Sequence, residues 1–183
     1  MFDTVANKID KKHSVRNYEK IQKYTKSPII PASSLAEYFL RQLVEKQKIQ
    51  YVPGSSSFSI SRPEALSEND KNILHDIQTK ILDTYGSTGI QRALNTAVFD
   101  LLENIVVYPV HDEKKYTDHD GNVLPDAYII PKDMNLKEFI QSKIHSDLAK
   151  NFIYAVDAKT KLRLGENYQL RHNDVIKVVS AAR

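Results

Sequence analysis

The chain has 183 residues, 41% hydrophobic and 27% charged, enough for one sizeable core or two small ones. It has no cysteine, which excludes disulfides, thiol nucleophiles and the usual zinc clusters together. No run approaches the roughly 18–20 apolar residues that cross a bilayer, and Met1–Lys12 is polar and charged rather than signal-like, so the expectation is a cytoplasmic protein with no membrane partner.

The net charge of +3 is unevenly spread. Residues 1–26 carry seven Lys/Arg against three Asp/Glu, residues 27–149 twelve against seventeen, and residues 150–183 seven against three. Basic ends attract phosphate, although solvated faces of a lysine-rich protein give the same count.

Near the start, Asn7-Lys8-Ile9-Asp10 follows the partly apolar Met1–Ala6, which places an N-K-x-D sequence after a strand. These residue types suit recognition of a guanine base. An Asp carboxylate accepts from two donors on the N1 and N2 edge, which adenine does not offer, so the pairing is charge-assisted and selective. The Lys stem can lie along the flat face of the base, and the Asn can tie the loop. Residues Pro28-Ile29-Ile30-Pro31-Ala32-Ser33-Ser34 read as a short apolar strand running into a serine-rich loop and then a helix. GTPases carry a second base-contacting loop there, typically S-A. Ser33 and Ser34 match it, with Ser34 where Ala is usual, a mild departure for a contact made through backbone N–H groups.

The following helix is predicted to open at Ser34, with Glu37 completing a capping box, and to end near Lys48. Its apolar face is Ala36, Phe39, Leu40, Leu43 and Val44. Tyr51–Phe58, with its Pro-Gly and serine run, reads as a connection and a joint between domains. A second helix opens at Ser67 with Asp70 three residues on, carries Leu74, Ile77, Ile81 and Tyr85, and stops at Gly86. A third follows Ser87-Thr88-Gly89, with Ile90, Ala93, Leu94, Ala97, Val98, Leu101 and Leu102 as its buried stripe. These two form a helical hairpin.

From Ile105 the pattern changes to short strands. Ile105–Val110 and Ala127–Ile130 are strands with an Asp120-Gly121-Asn122 turn before the second. A helix capped by Asn135 and Glu138 follows, with Leu136, Ile140, Ile144 and Leu148 on one face. Alternation then returns over Phe152–Val156 and again over Val175–Val179. Two strands, a helix and further strands is the order of a β-grasp, shared with other small α+β folds.

Several long runs carry a family resemblance. Tyr85-Gly86-Ser87-Thr88-Gly89, Asn95–Leu102 and Ile105–Val110 are similar to the junction into the TGS domain of archaeal YchF-related GTP-binding proteins. Thr117–Ala127, Lys143–Leu148, Tyr154–Ala158, Lys161, Arg163 and Asn173–Lys177 resemble the same family in the same order. The resemblance covers nearly the whole chain from Val5. It implies the C-terminal part of an Obg-like GTPase: an α+β chain with an incomplete α/β GTPase remnant at 1–50, a helical linker region at 51–103 and a β-grasp (ubiquitin-like) TGS domain at 104–183. It also implies guanine contacts from Asn7, Lys8, Asp10, Ser33 and Ser34.

The five glycines, at 54, 86, 89, 121 and 165, frame no G-x-x-x-x-G-K-[ST] loop, and the magnesium-linked D-x-x-G segment expected upstream of Asn7-Lys8-Ile9-Asp10 is absent as well. Without that loop there is no nest of N–H groups for phosphates and no hydroxyl for magnesium. GTP is therefore expected to make base contacts only, and weakly, with no metal and no hydrolysis by this chain alone. The family would place the phosphate-binding half before Met1, so the chain reads as a fragment, a split gene product or an internally started frame.

Other constellations are weaker. Asp118-His119-Asp120-Gly121-Asn122 has no bidentate Glu at calcium-loop spacing and reads as a turn. His111, His119 and His145 lack a His-x-x-x-His pair or a thiol partner. The Tyr and Phe residues fall mostly at positions that the periodic pattern buries, which favours core over a stacking platform. The leading expectation is a translation-associated GTP-binding fragment that keeps its guanine motif. The alternative is a free-standing TGS module that docks on RNA, the ribosome or a protein through its basic tail, Lys150–Arg183.

Overall fold

The computed structural model describes residues 4–25 and 28–181. Met1–Asp3 of the expected first strand, and Lys26 and Arg183 of the basic ends, lie outside these. Two compact units divide the chain, Met1–Leu101 and Leu102–Arg183.

In the first unit, β1 (Thr4–Asn7) is followed by α1 (Ser14–Tyr24), β2 (Ile29–Ala32) and α2 (Ser34–Glu45). The strands run parallel, with Asn7 opposite Ala32. Helix α1 carries no recognisable start signal in the sequence: it follows a left-handed His13 with no side-chain cap, and none of its residues is buried. It is tied to β2 by the Tyr18 hydroxyl, which donates to the Ile29 carbonyl at 3.2 Å, and the Tyr18 ring meets Tyr85 edge-on at 6.1 Å.

A short antiparallel pair, β3 (Ile49–Gln50) and β4 (Ser59–Ile60), brackets Tyr51–Phe58, which lies inside the first unit. The next helix runs as α3 (Glu68–Ile77), a wide π turn (Gln78–Leu82) and α4 (Asp83–Tyr85), ending at left-handed Gly86. Its Ser67–Asp70 capping box is present as expected. The stretch expected as the hairpin's second arm is α5 (Ile90–Asn95) and a π turn (Thr96–Leu101).

Two expectations are corrected here. The cap of α2 is Ser33, whose hydroxyl accepts from the Ala36 N–H at 3.2 Å, and Glu37 faces inward instead of closing a capping box. The stripe of the second arm is not buried: Leu94, Leu101 and Leu102 are exposed, and the other members are only partly covered. The core of this unit comes from Ile9, Ala36, Leu40, Leu43, Ile49, Tyr51, Leu74, Ile77, Ile81 and Leu82.

The second unit is a five-stranded mixed sheet with helices on one face. Its strands are β5 (Asn104–Pro109), β6 (Tyr128–Pro131), β7 (Phe152–Asp157), β8 (Arg163–Leu164) and β9 (Asp174–Ser180), in the order β6-β5-β9-β7-β8. Only β5 and β9 run parallel; the β6, β7 and β8 pairings are antiparallel. Between β6 and β7 lie α6 (Leu136–Phe139), a π turn (Ile140–Ile144) and α7 (Ser146–Lys150). The Asn135–Glu138 capping box starts α6, and Leu136, Phe139 and Ile140 bury themselves against Ile105, Val107, Ile130, Ala155 and Ile176. The alternation in the strands puts these apolar residues on the helix side. The architecture is thus α+β, with a partial GTPase-like unit followed by the expected β-grasp order.

Candidate functional site

Parallel pairing brings the carboxyl ends of β1 and β2 side by side, where open α/β sheets present their ligand-binding loops. The two serine and N-K-x-D loops are bonded to each other there. Asn7 Oδ1 accepts from the Lys8 N–H at 2.8 Å, and from the Ser34 N–H and hydroxyl at 3.1 and 3.2 Å. Asn7 therefore ties not only its own loop but the second one, which the sequence placed 27 residues away. Lys8 adopts a left-handed backbone (φ 70°), and Ile9 turns into the core while its N–H reaches the Ala32 carbonyl at 3.2 Å.

Asp10 is the acidic member. Its Oδ1 accepts from the Ser33 hydroxyl at 2.8 Å, and its Oδ2 lies 3.3 Å from Lys11 Nζ. Burial draws its carboxyl upward, but the Ser33 and Lys11 contacts outweigh that and hold it below the ordinary carboxylate range. It is a carboxylate at neutral pH. Two oxygens offer about four lone-pair positions, so acceptor capacity remains for a ligand beyond the Ser33, Lys11 and own-backbone contacts.

Around these groups opens a cavity of about 360 Å³, lined by Asn7, Lys8, Asp10, Lys11, Ser34, Leu35 and Tyr38, within the about 300–1,000 Å³ range of small-ligand clefts. Ser33 is fully buried and acts from beneath: its hydroxyl gives to Asp10 and takes from Ala36, while its N–H donates to the Thr88 carbonyl at 2.9 Å. The structure thus brings Asn7, Lys8, Asp10 and Ser34 to one cavity, with Ser33 behind them. Sequence reasoning missed Lys11, Leu35 and Tyr38, which line the same cavity. It also missed the buried Glu37 and Thr88 behind it. Tyr38 is exposed, against the expectation that the aromatics are mostly buried.

The remaining candidates do not line this cavity. His111 and His119 stack face to face, ring centroids 3.5 Å apart, and His145 caps α7 by accepting from the Asp147 N–H at 3.1 Å. Asp118 organises the expected turn, its Oδ1 accepting from the N–H groups of Asp120 and Asn122 at 2.9 and 2.8 Å. Among the described residues no group of three or more His, Cys, Asp or Glu is placed to hold a metal ion, and no helix is long and apolar enough to cross a membrane.

Comparison with known proteins identifies both parts of the chain. Residues 5–112 match the family described as Obg-like GTPase YGR210-like, G4 motif-containing domain, and residues 116–180 match the TGS domain. The chain is 41% identical over 179 residues to the uncharacterized GTP-binding protein MJ1332 of Methanocaldococcus jannaschii, covering 97% of this chain and 44% of that protein. It is 36% identical over 118 residues to the uncharacterized GTP-binding protein C428.15 of Schizosaccharomyces pombe, covering 60% and 29% respectively. Among solved structures it resembles a GTP binding protein from Pyrococcus horikoshii OT3, with 36% identity and a TM-score of 0.66 over 98% of this chain and 45% of that one. The chain spans less than half the length of these relatives.

Proposed function

Because the chain belongs to the Obg-like GTPases of the YGR210-like group, with a G4-motif domain and a TGS domain, we propose that it reads the base of a guanine nucleotide in a translation-associated GTP-binding protein and supplies no phosphate contacts. Asp10 accepts from the N1 and N2 donors of guanine, the Lys8 stem lies along the base, and Asn7 and Ser33 hold the two loops in register. Ser34 and the positive end of α2 face the guanine O6. The Ser34 N–H already leans on Asn7 Oδ1, so O6 competes with that bond or shares it. The observation that carries this reading is the bonding of both loops, through Asn7 and Ser33, around one cavity that holds the Asp10 carboxylate.

The test is a titration of the isotope-labelled chain with GMP, AMP and inorganic phosphate, followed by NMR. Shifts at Asn7, Lys8, Asp10, Ser33 and Ser34 with GMP alone support the reading, and equal responses to GMP and AMP sink it. Micromolar GTP affinity would overturn the claim that phosphate contacts are missing.

Phosphate chemistry then belongs to polypeptide outside these 183 residues. Supporting this, β1 pairs only with β2 among the described residues, and β1 and α1 bury no residue. These exposed faces suit a P-loop-bearing half, which is tested by asking whether such a half co-purifies with this chain.

A second reading concerns the TGS domain. The guanidinium of Arg163 lies 4.4 Å from the Tyr154 ring centroid, and Arg171 lies 6.0 Å from Tyr168. Paired Arg and aromatic faces of this kind stack on RNA bases and meet phosphates. RNA binding that weakens with salt and drops in Arg163→Ala supports this role, and no binding at low salt removes it.

A further inference from the structure

The loop that carries Ser33 and Ser34 is held from behind by a turn more than fifty residues further along the chain. Thr88 is completely buried, and its carbonyl accepts from the Ser33 N–H at 2.9 Å. Its hydroxyl donates to Glu37 Oε2 at 2.6 Å, and the Tyr51 hydroxyl donates to the same oxygen at 2.9 Å. Arg41 Nε donates to Glu37 Oε1 at 2.7 Å. Glu37 is itself on α2, one turn beyond the Ser33 cap, so the carboxylate locks Thr88 to the helix whose first residues border the cavity.

The next residue adds a steric clamp. Gly89 has φ +81°, and a Cβ there would fall 1.9 Å from the Pro31 carbonyl oxygen and 2.9 Å from the Ala32 Cα. Only glycine lets the turn press this closely against the end of β2. Two backbone contacts, Thr88 to Ser33 and Gly89 to Pro31–Ala32, therefore set the height of the serine loop above the sheet. The Ser33 hydroxyl sets Asp10 in turn.

We infer that Thr88, braced by Glu37, is a positioning residue for guanine recognition: it fixes Ser33, and through Ser33 the direction in which the Asp10 carboxylate faces the base. This inference rests on the guanine-binding reading above. Thr88 touches no ligand itself. Its hydroxyl acts because an acceptor in a buried site with two good donors holds its partners to a narrow geometry. Valine at this position keeps the volume and the carbonyl but frees the turn from Glu37. Serine keeps the hydroxyl.

The experiment is a GMP and AMP titration of the full chain by NMR, run well below the melting temperature, for wild type, Thr88→Val, Thr88→Ser and the core variant Leu43→Ala. Thr88→Val is expected to weaken GMP binding about tenfold, the scale of one charge-assisted bond, and to leave AMP unchanged, so that the preference for guanine falls. Thr88→Ser restores the preference. Leu43→Ala lowers the melting temperature without altering that preference, because Leu43 is a core residue that does not line the cavity. Unchanged GMP preference in a folded Thr88→Val overturns the positioning role and leaves guanine binding intact. No preference in wild type overturns both. If Thr88→Val does not fold, the coupling is read in wild type: GMP, but not AMP, should slow hydrogen exchange at the Ser33 amide and shift the Thr88 methyl resonance. An unmoved pair under saturating GMP counts against the role.

Discussion

Replacing Glu37 by Gln tests how much the first unit depends on one buried carboxylate. Glu37 is 4% exposed and receives three donors, from Arg41, Tyr51 and Thr88. A glutamine keeps one carbonyl oxygen. Placed at the Oε2 position it still accepts from Tyr51 and Thr88, and its amide then faces Arg41, whose side chain is 54% exposed and regains water cheaply. The loss is therefore the charge assistance of two buried bonds, roughly 1 kcal/mol each, plus a few tenths for an i,i+4 ion pair, about 2 kcal/mol in all. Glu37→Leu also leaves two buried hydroxyls unpaired and should cost about 3–5 kcal/mol. For a unit of this size, 2 kcal/mol corresponds to a fall of about 8–16 °C in Tm.

The chain has no tryptophan and two units, so a single optical melt would blend them. Amide NMR through a urea titration separates them, with Leu40 and Leu43 reporting on the first unit and Val107 and Ile176 on the second. The pH dependence gives an independent check. Burial pulls the Glu37 carboxyl up, but donation from Thr88, Arg41 and Tyr51 outweighs it and holds the group below its ordinary value of 4.5. A depressed native value means the unfolded chain binds the proton more readily. The Glu37 contribution is thus complete above the ordinary value and is lost as pH falls through the native one. The gap between wild type and Glu37→Gln should be constant from about pH 6 to 8 and close in acid. A gap under about 0.5 kcal/mol at pH 7, or an equal loss in the second unit, would refute the network's role.

Three further outcomes follow from the same geometry. If Asp10 accepts from the guanine N1 and N2 donors as proposed, Asp10→Asn offers an N–H instead, and titration should show GMP preference lost by about tenfold or more and XMP, which carries a carbonyl at C2, gained. Ser33→Ala removes the cap of α2 and the Asp10 partner together, and urea unfolding should show the first unit weakened by about 1–2 kcal/mol, with GMP preference reduced. Phe139→Ala empties a fully buried site that meets Tyr128 edge-on at 5.6 Å. It should cost the second unit about 3–5 kcal/mol in the same urea experiment and leave Leu40 and Leu43 unmoved.

What the sequence disclosed depended on how local the determinant was. The Ser67–Asp70 and Asn135–Glu138 boxes close within one turn, and both were legible and correct. Ser34 and Glu37 have the same spacing, yet the box fails because Glu37 is drawn inward by Thr88 and Tyr51, which lie 51 and 14 residues away. Helix α1 escaped notice because a left-handed His13 replaces a side-chain cap and Val15 and Ile21 remain exposed, so neither a start signal nor a buried stripe marks it. The second arm of the hairpin shows the converse error. Its apolar spacing is helical, but Leu94, Leu101 and Leu102 remain exposed, and periodicity reports which residues share a face rather than what covers it.

The candidate site divides along the same line. Asn7, Lys8 and Asp10 were recognisable because hydrogen-bonding chemistry dictates residue types within four positions, and Ser33 and Ser34 because a loop of known character follows a strand. Thr88 was visible only as part of a turn, since its contribution is a carbonyl and a hydroxyl aimed at another element. The division has a consequence for selectivity. A base site without phosphate contacts has little binding free energy to spare, because most charge-assisted bonds to a nucleotide go to its phosphates. Discrimination must then come from how firmly a few acceptors are held before the base arrives. On the proposed guanine-binding reading, that firmness comes from Asn7, bonded across the two loops, and from Ser33, anchored on Thr88. A loose loop would still bind purines weakly, but it would lose the distinction between guanine and adenine first.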